Sequence, residues 1–228
     1  MAITLGQHTT FTAPGGGSGP FTSSAINTSG NNLLLFGVSY LDSAGTPTVS
    51  DSKGNTWVQC SIGSGVYVAS AVMFYCKNPT VGSGHTFTVT DASSPSYCCA
   101  HVATFNNVDT ASPFDVQSSV SDGPGTSGQP GSITPTQNGE LLYTLLGPAD
   151  TIVSPSINSS FTLLDFVDIA SGTNFGLASA YRVQAVAAAI NPTWSWTNSE
   201  RTNKLIASFK EQVFIPTGHH RTLLGIGI

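Results

Sequence analysis

Residues Asn31–Tyr40 read NNLLLFGVSY, and residues Asn138–Gly147 read NGELLYTLLG. Each is a short apolar run behind an Asn-containing turn, and each reads as a strand buried in a core. The echo does not stop there. GNTWVQC (Gly54–Cys60) corresponds to NSSFTLLDF (Asn158–Phe166), which aligns Trp57 with Phe161. VASAVMFYCKNP (Val68–Pro79) corresponds to GLASAYRVQAVAAAINP (Gly176–Pro192), and HTFTVT (His85–Thr90) to PTWSWT (Pro192–Thr197). CCAHVATF (Cys98–Phe105) corresponds to NKLIASFK (Asn203–Lys210). The same five strands therefore recur in the same order at a spacing of about 105–110 residues, too long for the ~20–50-residue units of a solenoid. Two equivalent strand sets packed face to face predict an all-β, jelly-roll-like double-sheet sandwich with two pseudo-equivalent halves.

The remaining pattern agrees with this class. In His85-Thr86-Phe87-Thr88-Val89-Thr90 the apolar residues fall at every second place, the period of a half-buried strand. Helical periodicity is nearly absent, and Ala185–Ile190 runs straight into Asn191-Pro192, so it reads as a strand end. Asp51-Ser52-Lys53-Gly54-Asn55 carries turn chemistry and is expected to close a hairpin. The predicted organisation is an N-terminal strand and Gly-rich arm (1–30), a sandwich (31–210) and a C-terminal arm (211–228). Within the sandwich, halves at 31–110 and 138–210 flank a crossover at 111–137. Ser118–Ser132 contains only one apolar residue, Val120, and is expected to be a long surface connection. A lone half, with one buried face and two open edges, would be a poor free-standing unit.

Composition excludes several roles. Charged residues make up 8% of the 228, against about 25% in an ordinary soluble protein, whereas Ser and Thr fill about a quarter. Seven basic residues against twelve acidic ones leave a net charge of −5, which argues against phosphate-gripping nucleic-acid binding and polybasic membrane attachment. No apolar run is long enough to span a bilayer. The start, MAITLGQHTTFTAPGGG, lacks the basic and apolar regions of an export signal, so synthesis in a reducing cytosol is expected. With 39% hydrophobic residues the chain can support a core, and disorder is not expected.

The stretches Asp51–Trp57, Ala71–Thr90, Ala100–Val108, Asn138–Thr144 and Leu205–Lys210 resemble the jelly-roll or concanavalin-like sandwich modules of phage virion proteins and related bacterial surface proteins. The resemblance spans roughly residues 30 to 210 and carries no catalytic signature. It implies a structural part of a virion, made in the host cytoplasm: a capsid decoration or cement protein first, a tail or fibre component second. The implied partners are copies of itself, a trimer among the options, and other virion proteins.

A search for chemistry yields little. Glu occurs only at Glu140, Glu200 and Glu211, and the best strand pair of acids, Asp165 and Asp168, falls on opposite faces at a spacing of three. No Gly-x-Ser-x-Gly elbow exists; Ser127 in Gly-Thr-Ser-Gly-Gln comes nearest, in a Gly/Pro-rich loop. Gly15-Gly16-Gly17-Ser18-Gly19 lacks the lysine and helix of a phosphate loop. Cys99 and His101 share one strand face and Cys98 takes the other, so a zinc site would need register to bring in Cys60 and Cys76. Free buried thiols are the expectation, with a Cys60–Cys76 disulfide as the alternative. No enzyme activity, cofactor or metal is expected. Trp57, Trp194 and Trp196, with Tyr67 and Tyr97, are expected to fill the sandwich core, since Phe87 and Val89 hold the equivalent places in the first half; a stacking platform for a glycan is the carbohydrate-binding alternative. The C-terminal tail, EQVFIPTGHHRTLLGIGI, is apolar at its end. Phe214, Ile215, Leu223, Leu224, Ile226 and Ile228 are expected to form an assembly arm that docks on a neighbouring subunit by β-augmentation or pocket insertion, with His219, His220 and Arg221 as its polar hinge. The competing expectation folds the tail back over its own sandwich as an extra strand.

Overall fold

In the computed structural model the chain is described over residues 1–14, 19–41, 45–63, 69–90, 97–169 and 175–213. These residues form fourteen strands: β1 (Thr4–Pro14), β2 (Phe21–Thr22), β3 (Leu33–Leu41), β4 (Thr48–Asp51), β5 (Val58–Gly63), β6 (Ala69–Lys77), β7 (Phe87–Thr90), β8 (Tyr97–Asn106), β9 (Phe114–Gly128), β10 (Glu140–Pro148), β11 (Ser156–Ile157), β12 (Thr162–Ile169), β13 (Phe175–Gln184) and β14 (Trp194–Phe209). Every pairing is antiparallel. The first half builds a large sheet in the order β1-β8-β3-β6-β5, and the second builds β9-β14-β10-β13-β12. The two orders match strand for strand.

Register carries the repeat down to single residues. Leu33 faces Lys77 and Phe105, and its counterpart Leu141 faces Val183 and Phe209. The irregularities recur as well. One bulge separates Leu5 from His8 opposite Phe105 and Ala103, and another separates Phe114 from Gln117 opposite Phe209 and Ala207. A second pair of bulges lies at Gln59/Ser61 in β5 and Leu163/Asp165 in β12.

Each half also lays a small sheet over the outer face of its large one. In the first half this sheet is β2-β7-β4. In the second, the end of β9, the start of β14 and β11 do the same job, because β9 and β14 are long enough to run through both layers. The first half thus runs β1 large, β2 small, β3 large, β4 small, β5 and β6 large, β7 small, β8 large. That is a jelly-roll-like wrap within one half. The sequence expectation of one buried face per half is corrected accordingly: the large sheets are buried on both faces. This explains why β3 and β10 read as continuous apolar runs rather than alternating ones.

The large sheets pack back to back around a central core that includes Leu33, Leu35, Met73, Phe105, Leu141, Tyr143, Leu145, Leu205 and Phe209. One outer core joins Phe36 and Val38 to Phe87 and Val89; the other joins Leu142 and Ile206 to Trp194 and Trp196. Contacts between halves are reciprocal. Tyr75 meets Phe209 with ring centroids 5.6 Å apart, and Tyr181 meets Phe105 at 5.5 Å. Likewise β1 lies against β12, and β5 against β9. This is the self-complementary pattern of a two-fold dimer interface, here within one chain.

Three local expectations change. Asp51–Asn55 closes no hairpin, since β4 pairs with β7 and β5 with β6; the turn carries the chain from small sheet to large. The Asp51 carboxylate holds this corner by accepting from the backbone N–H of Lys53 and from Trp57 Nε1, both at 2.8 Å. The segment expected as a surface crossover is mostly β9. Its Ser- and Gly-rich residues form a strand because backbone pairing along β14, not apolar side chains, holds them there. At the N-terminus, β1 pairs with β8 along its length and β2 pairs with β7, so the described part of 1–30 belongs to the sheets.

Gly37 tests the fit of the central layer. A Cβ there would lie 2.7 Å from Leu145 Cδ1 inside a closed core. Gly37→Ala should cost roughly 1–3 kcal/mol by overpacking, and Leu145→Ala about 2–5 kcal/mol by leaving a cavity. Denaturant titration should show the double variant losing clearly less than the sum, because the new methyl occupies vacated space. Simple additivity would mean that the two positions do not meet.

Candidate functional site

Two edge strands from different halves bring together the one cluster of three metal-ligating side chains found among the described residues. β1 is the edge of the first large sheet and β12 the edge of the second, and each carries its reactive residue immediately after a bulge: His8 in β1 and Asp165 in β12. Bulges at sheet edges re-aim side chains. The β1 bulge depends on Gly6, where a Cβ would fall 2.2 Å from Asn31 Oδ1 and 2.5 Å from Thr104 Oγ1. The Thr104 hydroxyl pins the same turn, accepting from Gln7 N–H at 2.8 Å and donating to Gln7 O at 3.0 Å.

His8 Nδ1 lies 2.5 Å from Asp165 Oδ2, and His101 Nε2 approaches the same oxygen at 2.9 Å. On its other side His101 Nδ1 meets the Tyr143 hydroxyl at 2.5 Å. A line of polar contacts thus runs from the rim into the central core. Exposure grades along it: 36% for His8, 28% for Asp165 and 1% for the His101 side chain. Burial holds the His101 imidazole below its ordinary pKa, and the neighbouring Asp165 only partly opposes this. Burial alone would raise the Asp165 carboxyl, but hydrogen bonds and charge from His101 and His8 outweigh it and hold the group below its usual range. Burial raises the Tyr143 phenol. A neutral imidazole with one proton then fits as a relay: Tyr143 O–H donates to Nδ1, and Nε2–H donates to Asp165.

The duplication supplies an internal control. By strand register His101 corresponds to Leu205, Tyr143 to Leu35 and His8 to Gln117. The counterpart seam folds with leucine in the core, so the sandwich does not require imidazole and phenol at these places. Burying polar groups carries a cost that packing does not explain.

The other residues singled out from sequence are dispersed. Trp194 and Trp196 fill the outer core, wholly enclosed and 6% exposed, in the inward places that Phe87 and Val89 take in the first half. They are core residues and present no open face to a glycan. Trp57 is half-buried, edge-on to Phe36 and Phe87, and lines a cavity of about 310 Å³ with Pro47, Val49, Gln59 and Phe74. None of the four cysteines takes part in a disulfide. Cys60 and Cys99 pack at the central core, while Cys76 and Cys98 sit in the outer one, so neither the four-residue zinc site nor the Cys60–Cys76 bridge forms. Burial pushes the Cys76 thiol up to about 12 and raises Cys99 as well, which keeps both inert as nucleophiles. Ser127 pairs with Ser195 at the end of β9. Asp168 stands three places beyond Asp165, on the opposite strand face. Phe214, Ile215, Leu223, Leu224, Ile226 and Ile228 lie outside the described residues, as do Tyr67, His219, His220 and Arg221.

A second polar group is buried in the other half. Lys204 is fully enclosed; its ammonium lies 2.7 Å from Asp122 Oδ2 and donates to Thr202 Oγ1 at 2.8 Å. Burial lowers its pKa, and the Asp122 contacts oppose the shift. This pair ties β9 to β14 where β9 leaves the regular ladder.

Comparison with protein-family models, with curated proteins and with solved structures finds no match for this chain. Function has to be read from its own residues.

The relay predicts a pH dependence. The His101 pKa is lowered on folding, so between its folded value and about 6.5 the unfolded chain binds a proton that the native one does not. Stability should therefore begin to fall as pH drops below about 6.5. Asp165 adds a second loss, from its unfolded value of about 3.9 downwards. Denaturant midpoints measured from pH 8 to 3 should show both windows. The double variant His101→Leu/Tyr143→Phe, which restores the apolar character of the counterpart seam, should lack the upper one. An unchanged upper window in that variant would remove His101 as its source.

Proposed function

We propose that this chain is a non-enzymatic virion structural protein, foremost a capsid decoration or cement protein, that assembles with copies of itself and with the shell. The observation that carries this reading is the duplicated body. Two jelly-roll-like halves share one central core, and each large sheet is covered on both faces. Such a body is a stiff block whose side chains are largely spent on packing and on closing corners. Its loops, rims and terminal segments remain for docking. The low charge and the Ser/Thr-rich surface suit extended, weakly charged contacts. The virion assignment itself rests on the sequence resemblance to phage modules, and a tail or fibre component is its nearest variant.

The test is solution mass by light scattering, on the full chain and on a chain ending at Val213, which keeps every described strand. The full chain should be oligomeric and the shortened one a folded monomer, because residues 214–228 act as the assembly arm. Two folded monomers, with neither retained on empty shells, would overturn the proposal.

Glycan binding keeps one observation in its favour, the Trp57 cavity. Under that reading both chain lengths bind glycan equally and Trp57→Phe weakens binding with the fold intact.

A further inference from the structure

We propose that His8, His101 and Asp165 form a binding site for one divalent transition-metal ion of the zinc class, which staples β1 of the first half to β12 of the second. This goes beyond the assembly reading and does not depend on it. The three donor atoms, His8 Nδ1, His101 Nε2 and Asp165 Oδ2, all lie within 4.8 Å of one another. Zinc holds such ligands at about 2.0–2.2 Å, so a tetrahedral arrangement sets neighbouring donors roughly 3.3 Å apart. Asp165 Oδ2 now sits 2.5 and 2.9 Å from the two nitrogens. Moving the Asp165 oxygen out by less than about 1 Å brings both of these distances to that value. Two of the three donors come from edge strands beside bulges, where such an adjustment is easiest.

The donor set narrows the choice of ion. Calcium and magnesium favour all-oxygen shells, whereas two imidazoles and one carboxylate suit zinc and its first-row neighbours. Ligating histidines normally engage a partner through their second nitrogen, and His101 already does so at Tyr143. Metal on Nε2 moves the imidazole proton to Nδ1, and the Tyr143 oxygen becomes the acceptor. The fourth position faces the rim, since His8 and Asp165 are partly exposed while His101 is enclosed. It is open to water or to a donor from a neighbouring molecule. The counterpart seam, with Gln117 and Leu205, has the same strands and bulges but lacks this donor set.

The experiment uses the full chain, stripped with a chelator and titrated with zinc by calorimetry and with cobalt by visible absorption. One ion should bind per chain, the cobalt spectrum should lack a thiolate charge-transfer band, and zinc should raise the melting temperature. His8→Ala and Asp165→Asn, both at partly exposed positions, should abolish binding while circular dichroism stays unchanged; if Asp165→Asn fails to fold, His8→Ala decides alone. Tyr143→Phe should weaken binding by about 10–100-fold. A double variant His219→Ala/His220→Ala should bind as the parent does. The proposal fails if the full chain binds no ion, if binding survives His8→Ala, or if it disappears only when His219 and His220 are replaced.

Discussion

The face-to-face packing of the two large sheets is the constraint on which the rest of the structure depends. Each half can wrap its own small sheet, but the inner face of its large sheet would remain a slab of Leu, Met and Phe without the other half. Burying such a surface is worth about 25 cal/mol for each square ångström removed from water, so the hydrophobic effect holds the two halves together. The reciprocal Tyr75–Phe209 and Tyr181–Phe105 contacts fix how the slabs meet. Gly37 lets Leu145 approach closely at the middle of the layer.

The same packing creates two seams, where an edge of one sheet lies against an edge of the other. The halves share strands, register and bulges, and the seams differ chiefly in side chains. One is filled conservatively; the other holds His8, Asp165, His101 and Tyr143. A duplicated fold can keep its stability in both halves while one copy changes its chemistry. The buried imidazole and phenol mark where the two seams differ, and each satisfies the other at the cost of an apolar fit. Lys204 with Asp122 is a second departure, since the place of Lys204 in register is occupied by Ala100 in the first half.

The fold was legible in the sequence because apolar residues mark buried faces, and the matched runs at Asn31 and Asn138 mark the same strand twice. What escaped is what side-chain character does not encode. β9 is a strand of Ser, Gly and Asp held by backbone pairing, and β2, β4 and β11 are too short to show a period. The seam was hidden for a subtler reason. Ile3, Leu5, Phe11 and Ala13 are all odd-numbered and suggest one continuous face, yet the first two point to the central core and the last two to the outer one. The bulge at Gly6 and Gln7 reverses the alternation without disturbing the parity of the apolar residues, so His8 reads as facing away from Leu5's side when it shares it. Asp165 is displaced in the same way by the bulge at Leu164. The turn at Asp51 looked like a hairpin because turn chemistry reports a change of direction, not the sheet that the chain enters next.

With two fused, nearly symmetric halves sharing one core, the central layer must fold as one unit. Native-state hydrogen exchange measures this most directly. Amides of β3 in the first half and β10 in the second should open with the same free energy, equal to that of global unfolding, because neither slab survives without the other. If β3 or β10 exchanges at a clearly lower free energy while the other stays protected, the halves are independent and the shared core is not what holds this protein together.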